Sequence, residues 1–338
     1  MQTNLETTKI GMTDAEVTRI GMGGAPLGNV GTESAVSCLE TAYSEGIRYF
    51  DTAPLYGAGV SESHYGKFLP TVPRETFTIS TKVGRLILSE KEASKLQENK
   101  SSTKTLDSRN GNRKASKYKN QVVFNFSRDG ILRSIEDSLE RLGLDSIDIV
   151  LIHDPDDFYE EALNESFPAL AELREQGVIK AIGAGMNEWE MLTNFAKNAD
   201  FDCFLLAGRY TLLDHSAMHE LMPICDQKEI SLILGGPYNS GILASDLTSD
   251  TTYFYEPSPS DIVNRARAIK NVCDRYQVPL KAAALQFGLM HPTVATTIPG
   301  PREPEELKEN IEMASIDINS DLWKELKQEN LIHQNCPE

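Results

Sequence analysis

Eight short apolar segments recur along the 338-residue chain, each bounded by Gly, Pro or Asp. Amphipathic stretches separate them, such as GILRSIEDSLERLG (130–143) and PEELKENIEMA (304–314), with apolar residues three and four positions apart. This alternation is typical of βα units and a parallel sheet. The predicted strands are residues 17–23, 47–51, 77–82, 147–153, 179–185, 202–208, 230–236 and 293–300. Eight units predict one α/β domain over residues 1–338, a single (β/α)8 or TIM barrel.

A doubly wound dinucleotide-binding fold is the alternative. The glycine-rich segment GMGGAPLG (21–28) follows a strand and precedes a helix, and Asp51 ends the next strand. The spacing of these glycines departs from the usual fingerprint, and eight units are more than this fold requires. We therefore favour the barrel.

Residues 85–126 interrupt the alternation after the third predicted strand. This insert is polar and lysine-rich, and it is too long for an ordinary βα loop. One interpretation is a solvated and partly disordered insert. The other is a lid over the substrate, because a loop after a barrel strand emerges at the carboxyl-terminal face, where barrel enzymes bind their substrates.

Composition and charge narrow the classes of partner. The chain has 33 Lys and Arg against 50 Asp and Glu, a formal net charge of −17, which disfavours nucleic acids and anionic membranes. Its five cysteines are scattered without CxxC spacing, so we expect free thiols. The N-terminal residues lack the pattern of a secretory signal, and no apolar run reaches the roughly 20 residues of a membrane helix. We therefore expect a cytoplasmic protein.

Four chemically active side chains follow predicted strands two to four. In FDTAPLYGAGVSE, Asp51 ends strand two and Tyr56 lies in the loop after it, while Lys82 and His153 end strands three and four. The carboxyl ends of barrel strands meet at one face, so these four residues are expected to converge. A lysine in the barrel mouth needs a compensating charge, which Asp51 supplies.

This convergence predicts acid–base chemistry. A neighbouring ammonium favours phenolate, so Lys82 is expected to lower the pKa of Tyr56 and make it the general acid/base for an alcohol or carbonyl oxygen. His153 then donates a second hydrogen bond to the same oxygen. We predict no metal site, because the His pair at helical spacing, His215 and His219, has no third ligand nearby and is expected to face solvent.

The segments FDTAPLYGAGVSE, ISTKVG, IDIVLIHDPD and TTIPGPREPEELKENIEMA resemble the aldo-keto reductases, and the similarity extends from residue 17 to residue 315. The resemblance implies a barrel that binds a nicotinamide dinucleotide without a Rossmann domain. It also implies hydride transfer between the nicotinamide and a carbonyl or alcohol carbon. Asp51, Tyr56, Lys82 and His153 match the catalytic tetrad of that family.

Further segments, among them GMGGAPLGNV and LLAGRYTLLD, resemble the branch of sugar 1-dehydrogenases and pyridoxal 4-dehydrogenases. The resemblance therefore implies oxidation of the anomeric hemiacetal carbon of a small aldose, such as L-fucose or a D-threo-aldose, to a lactone. The alternatives are a pyridoxal 4-dehydrogenase, an NADPH-dependent aldehyde reductase and a cofactor-sensing regulatory subunit. Oligomeric state is left open.

The same resemblance implies a preference for NAD over NADP. Glu306 occupies a position that is basic in NADP-dependent relatives, and Arg302 is the remaining cation there. A carboxylate repels the 2′-phosphate of NADP but accepts a hydrogen bond from the free ribose 2′-hydroxyl of NAD. The other expected cofactor contacts are Gly24, Asn187, Tyr210, Gly236, Tyr238, Ser240, Gly300, Glu309 and Asn310.

Several of these contacts have specific expected roles. Glu309 and Asn310 match adenine contacts, and Asn187 matches a carboxamide contact. The ring that stacks on nicotinamide in many relatives is absent after strand seven, so Tyr210 or Tyr238 is expected to replace it. The loop 237–243 is the expected site of backbone contacts to the pyrophosphate.

Overall fold

A computed structural model describes residues 5–93, 120–247 and 250–338. Eight of its strands follow one another, all parallel, in one sheet, and the hydrogen bond from Gly21 N to Thr297 O (2.9 Å) joins its first and last strands. The predicted (β/α)8 barrel is confirmed. The barrel strands are β3 (Met22–Gly23), β4 (Tyr49–Asp51), β5 (Thr78–Val83), β8 (Ile149–His153), β9 (Ala181–Met186), β10 (Cys203–Ala207), β11 (Ser231–Gly235) and β14 (Val294–Ile298); the others are β1 (Thr7–Lys9), β2 (Glu16–Thr18), β6 (Arg85–Ser89), β7 (Asn120–Phe124), β12 (Thr252–Tyr253) and β13 (Glu256–Pro257).

Helices surround this sheet, and both helices predicted from periodicity are present. The segment 130–143 is helical over Arg128–Leu142, where the Ser127 side chain accepts a hydrogen bond from Gly130 N at the amino end. None of the described helices is long and apolar enough to cross a membrane. The principal helices are α1 (Thr32–Ser44), α2 (Val60–Phe68), α3 (Arg128–Leu142), α4 (Phe167–Glu175), α5 (Trp189–Asn198), α6 (Leu221–Gln227), α7 (Ser260–Arg275), α8 (Leu280–Phe287), α9 (Pro304–Ser315) and α10 (Ser320–Gln328).

An amino-terminal hairpin corrects the first predicted strand. The segment 17–23 begins in β2, which pairs antiparallel with β1, and only β3 and an isolated bridge at Ile20 belong to the barrel. Val17 of the hairpin is buried in the same cluster as Tyr49 from the barrel interior. The hairpin therefore uses its apolar face to close the end of the barrel opposite the strand carboxyl termini.

The two ends of the predicted insert (85–126) form a β-ribbon. Strands β6 and β7 pair antiparallel, with Arg85 opposite Phe124, directly after β5. Leu86 and Val123 are buried together in a small cluster of their own. Residues 94–119 lie outside the described residues, so the lid hypothesis stays a prediction.

Candidate active site

The four residues expected to converge do so at the carboxyl-terminal face of the barrel. Asp51, Lys82 and His153 lie at or near the ends of β4, β5 and β8, and Tyr56 follows in the turn before α2. Lys82 Nζ lies 4.7 Å from the centroid of the Tyr56 ring. The Tyr56 ring meets the His153 ring edge to face, with 5.9 Å between centroids.

A buried ion pair forms the base of this site. Lys82 Nζ donates hydrogen bonds to both carboxylate oxygens of Asp51, at 2.9 and 2.7 Å, and to the carbonyl of Thr52 at 3.0 Å. Each residue of the pair is only 1% exposed. Ser80 donates a further hydrogen bond to Asp51 Oδ1 at 2.8 Å. Burial disfavours the Lys82 ammonium, but Asp51 and Tyr56 outweigh it and leave the pKa of Lys82 raised.

The pKa of Tyr56 differs from the expectation. Burial raises the pKa of Tyr56 to about 12, and the charge and hydrogen bond of Lys82 only partly offset this effect. The predicted sign of the lysine effect holds, but desolvation of the phenolate is larger. Tyr56 is therefore a phenol at neutral pH, a proton donor that becomes a base only under more alkaline conditions.

His153 is a neutral imidazole. Burial, with the positive charges of Arg85 and Lys82, lowers its pKa well below the ordinary value. Its Nδ1 is buried and has no hydrogen-bond partner among the residues that the structure describes. Its Nε2 lies 3.6 Å from Asp154 Oδ2. The imidazole can therefore hydrogen-bond a ligand oxygen without carrying a charge.

Two glycine loops fix the position of Tyr56. Gly57 has φ +65°, and a Cβ there would lie 2.3 Å from the carbonyl oxygen of Gly28. A Cβ on Gly28 would in turn lie 2.5 Å from Gly57 N. The glycine-rich segment after β3 thus allows backbone-to-backbone contact with the Tyr56 loop. Gly24 behaves similarly: its N donates to Asp51 O at 2.7 Å, and a Cβ would lie 2.6 Å from that oxygen.

Residues expected to hold the adenosine end of the cofactor lie together near α9. The Tyr238 hydroxyl, from the loop after β11, donates to Asn310 Oδ1 at 2.7 Å. Glu309 accepts from Lys281 Nζ at 2.6 Å. On the same helix, Glu306 Oε2 accepts from the backbone N of Arg302 at 2.8 Å.

The remaining expected contacts are glycines and loop residues. Gly236 is exposed with φ +59°, and a Cβ there would meet only Gly208 N, at 3.8 Å, which leaves open space at the end of β11. A Cβ on Gly300 would lie 2.7 Å from the Pro26 ring. Asn187 is exposed, and the hydroxyl of Ser240 accepts a hydrogen bond from Tyr255 N at 3.1 Å.

Tyr210 does not fit the role of nicotinamide-stacking ring. Its side chain is 2% exposed and packs against Phe287 and His291, with ring centroids 5.2 and 5.8 Å away. Tyr210 and Phe287 belong to the main hydrophobic cluster of the protein. Tyr238 hydrogen-bonds Asn310, an expected adenine contact, so its expected place beside the nicotinamide stays a prediction.

The histidine pair also differs from expectation. His215 packs against Phe287, with 5.5 Å between ring centroids, whereas His219 is exposed. In the part of the chain that the structure describes, no group of three or more His, Cys, Asp or Glu side chains is arranged to hold a metal ion.

Sequence reasoning missed an ion pair at the barrel mouth. Arg85 Nη2 donates to Asp154 Oδ2 at 2.7 Å, and the Arg85 side chain is only 4% exposed. Asp154 immediately follows His153, and Arg85 begins the ribbon after β5. Each charged residue is visible directly after a barrel strand, Arg85 in VGR and Asp154 in IHDPD. The pairing could not be predicted, because 69 positions separate the two residues in the chain.

The site suits a nicotinamide cofactor. It supplies a protonated phenol, a paired ammonium and a neutral imidazole, whose Nε2 lies 3.6 Å from Asp154 Oδ2. These groups can exchange a proton with an alcohol or carbonyl oxygen, and the open space beside Gly236 leaves room for a ligand. The fold and the site thus define a barrel enzyme with acid–base groups placed to act on an alcohol or carbonyl oxygen.

Comparisons with known proteins agree. The aldo/keto reductase family matches residues 19–330, and the chain belongs to that family. It is 39% identical to D-threo-aldose 1-dehydrogenase of a Pseudomonas species, over 89% of each chain. It is 38% identical to pyridoxal 4-dehydrogenase of Microbacterium luteolum, over 98% of this chain and 96% of the relative.

An aldo-keto reductase from Bacillus halodurans in its holo form shares the fold, with a TM-score of 0.75 and 23% identity. The match covers 99% of this chain and 100% of that one. The protein is an NAD(P)-dependent oxidoreductase.

Proposed function

We propose that the protein oxidises the anomeric hemiacetal carbon of a small aldose, such as L-fucose or a D-threo-aldose, to a lactone, with NAD as the hydride acceptor. The observation that carries this proposal is the convergence of Tyr56, His153 and the buried Lys82–Asp51 pair at one point of the barrel mouth. The 39% identity to D-threo-aldose 1-dehydrogenase supports the aldose as substrate class.

Each side chain has a defined part in this reaction. Tyr56 removes the proton of the anomeric hydroxyl, and the ammonium of Lys82 stabilises the phenolate that must form first. His153, uncharged, donates a hydrogen bond that orients the same oxygen. Asp51 keeps Lys82 charged and fixed. A bound nicotinamide would supply the hydride acceptor. Glu309 and Asn310 are the residues proposed to hold the adenosine end of the cofactor, and Tyr238 donates a hydrogen bond to Asn310.

Glu306 is proposed to set the preference for NAD. Its Oε1 lies 3.9 Å from Arg302 Nη1, and Oε2 accepts the Arg302 backbone N–H, so the nearest cation is already paired with a carboxylate. A 2′-phosphate at this point would meet the negative charge of Glu306. Both side chains are at the surface, so salt partly screens the effect.

A charge-reversal experiment tests this assignment. Glu306→Arg is expected to lower KM for NADP and raise KM for NAD, because it replaces repulsion of the phosphate by attraction. Glu305→Arg, an exposed position one residue earlier on the same helix, is the matched control and should leave the ratio unchanged. An unchanged preference in Glu306→Arg would mean that another residue faces the ribose.

A second candidate is oxidation of pyridoxal, favoured by the 38% identity to pyridoxal 4-dehydrogenase over nearly the whole chain. One assay separates the candidates: NADH absorbance with purified protein and a panel of L-fucose, D-threo-aldoses, L-galactose and pyridoxal, repeated with NADP. Turnover of an aldose with NAD supports the proposal, and turnover of pyridoxal alone replaces it. Cofactor binding without turnover would favour an NADPH-dependent aldehyde reductase or a cofactor-sensing subunit.

A further inference from the structure

Asp154 occupies an unusual position beside the reacting groups. It follows His153 directly, and its backbone has φ +38°, a left-handed conformation that costs free energy for a residue with a side chain. Its backbone N donates to Gly185 O at 3.0 Å, which holds the residue against β9. Strained backbone of this kind is found where the surroundings fix a functional side chain.

One carboxylate oxygen of Asp154 is paired with Arg85, and the other has no hydrogen-bond partner among the described residues. Oδ2 accepts the hydrogen bond from Arg85 and lies 3.6 Å from His153 Nε2. Oδ1 accepts no hydrogen bond from the residues that the structure describes. The Asp154 side chain is 23% exposed, whereas Arg85 is 4% exposed. The pair therefore presents a carboxylate to the barrel mouth, with the guanidinium behind it.

The distances place this carboxylate close to the His153 imidazole. An oxygen bound by His153 Nε2 lies about 3 Å from that nitrogen, and the same nitrogen is 3.6 Å from Asp154 Oδ2. From such a position, a hydroxyl on the carbon adjacent to the reacting carbon can reach the Asp154 carboxylate. A substrate without that hydroxyl would leave a partly buried carboxylate unsatisfied.

We propose that Asp154, oriented by Arg85, determines substrate specificity by accepting a hydrogen bond from the hydroxyl next to the reacting carbon. The inference rests on the proposed function and names the feature of the substrate that the site reads. A site that hydrogen-bonds a substrate hydroxyl rejects the analogue that lacks it far more strongly than an apolar pocket does. Asp154 thus selects for hydroxyaldehydes in their hemiacetal form over simple aldehydes.

A purely structural role is the competing explanation. In that case the Arg85–Asp154 pair only anchors the β6–β7 ribbon to the barrel, and removal of Asp154 affects every substrate alike. A positioning role through His153 predicts the same uniform loss. Comparison of two substrates that differ by one hydroxyl separates these explanations from the proposal.

The experiment compares Asp154→Ala and Asp154→Asn with the full-length wild-type enzyme, on the preferred aldose and its 2-deoxy analogue, with NAD. For Asp154→Ala we expect kcat/KM to fall about 10-fold to 100-fold on the aldose and to change less than about 3-fold on the 2-deoxy sugar. Asp154→Asn keeps the shape and an acceptor oxygen but loses the charge, so its loss should be smaller. Asp156→Asn removes an exposed charge in the same loop and serves as the matched control; its charge acts on Arg85 and Asp154, so any effect should be small and equal on the two substrates.

Thermal unfolding and NADH binding of each variant verify that the fold and the cofactor site are intact. Equal losses on both substrates, or a wild-type enzyme that does not discriminate between them, would overturn the inference while the proposed function stands. A wild-type enzyme inactive with every aldose would overturn the proposed function and this inference with it. If Asp154→Ala does not fold, Asp154→Asn decides by the same comparison.

Discussion

The Lys82–Asp51 pair makes the sharpest prediction about stability. Lys82→Met removes the ammonium and leaves the Asp51 carboxylate in a site where it is 1% exposed. Loss of one partner of a buried ion pair costs about 3–5 kcal/mol of unfolding free energy. With an unfolding entropy of about 2.1 cal/mol/K per residue over 338 residues, this cost corresponds to a fall in Tm of about 4–7 °C.

The pH dependence identifies the cause of this loss. Burial raises the pKa of Asp51, and without Lys82 nothing opposes that effect except its hydrogen bond from Ser80. A carboxyl whose pKa is raised in the folded state stabilises the fold at low pH and destabilises it as pH rises. The deficit of Lys82→Met is therefore expected to be larger at about pH 8 than at about pH 5.

Thermal unfolding followed by circular dichroism at both pH values measures the effect. The double variant Asp51→Asn with Lys82→Met carries no unpaired charge, so it should recover part of the lost Tm and lose the pH dependence. A single variant as stable as wild type, or a deficit independent of pH, would show that the pair contributes no more than an exposed one. Recovery in the double variant should not restore turnover, because Tyr56 still lacks its ammonium.

Two predictions concern Tyr56 directly. Tyr56→Phe should retain cofactor affinity, measured by quenching of protein fluorescence, while kcat for oxidation falls at least about 10²-fold; an unchanged rate would exclude Tyr56 as the proton acceptor. Because the pKa of Tyr56 is about 12, the wild-type oxidation rate should rise between about pH 7 and about pH 10, whereas reduction, which uses the phenol, should stay nearly flat. An oxidation rate that peaks near neutral pH would show that another group accepts the proton.

The sequence predicts the position of the candidate catalytic residues because of one geometric rule. Parallel strands of a barrel end on the same face, so Asp51, Lys82 and His153 had to meet once their strands were recognised. It did not predict that VTRIGMG (17–23) divides between a hairpin and the barrel. The hairpin part and the barrel part of this segment both bury apolar residues. The pattern of apolar and polar residues does not show which other strand each part pairs with.

Contacts between loops were harder to predict from the sequence. Tyr210 and Tyr238 each follow a barrel strand by a few residues, but one ring packs into the outer layer and the other reaches Asn310. The direction in which a loop turns depends on tertiary packing that local sequence does not encode. The ion pair of Arg85 with Asp154 could not be predicted for the same reason. Its residues are distant in the chain and adjacent only in the barrel mouth.

The direction of the Lys82 effect on the pKa of Tyr56 can be predicted from the sequence, but the resulting pKa cannot. The attraction of Lys82 for a phenolate follows from residue types, but the desolvation that outweighs it depends on how many neighbours cover the hydroxyl. That balance has a chemical consequence. A phenol with a pKa of about 12 is ready to donate a proton in the reductive direction. In the oxidative direction the phenol proton must first pass to solvent, and the phenolate held beside Lys82 then takes the proton of the substrate hydroxyl. The acidic anomeric hydroxyl of an aldose gives up this proton more readily than a simple alcohol does, which is a chemical reason to expect hemiacetals as substrates of the oxidative reaction.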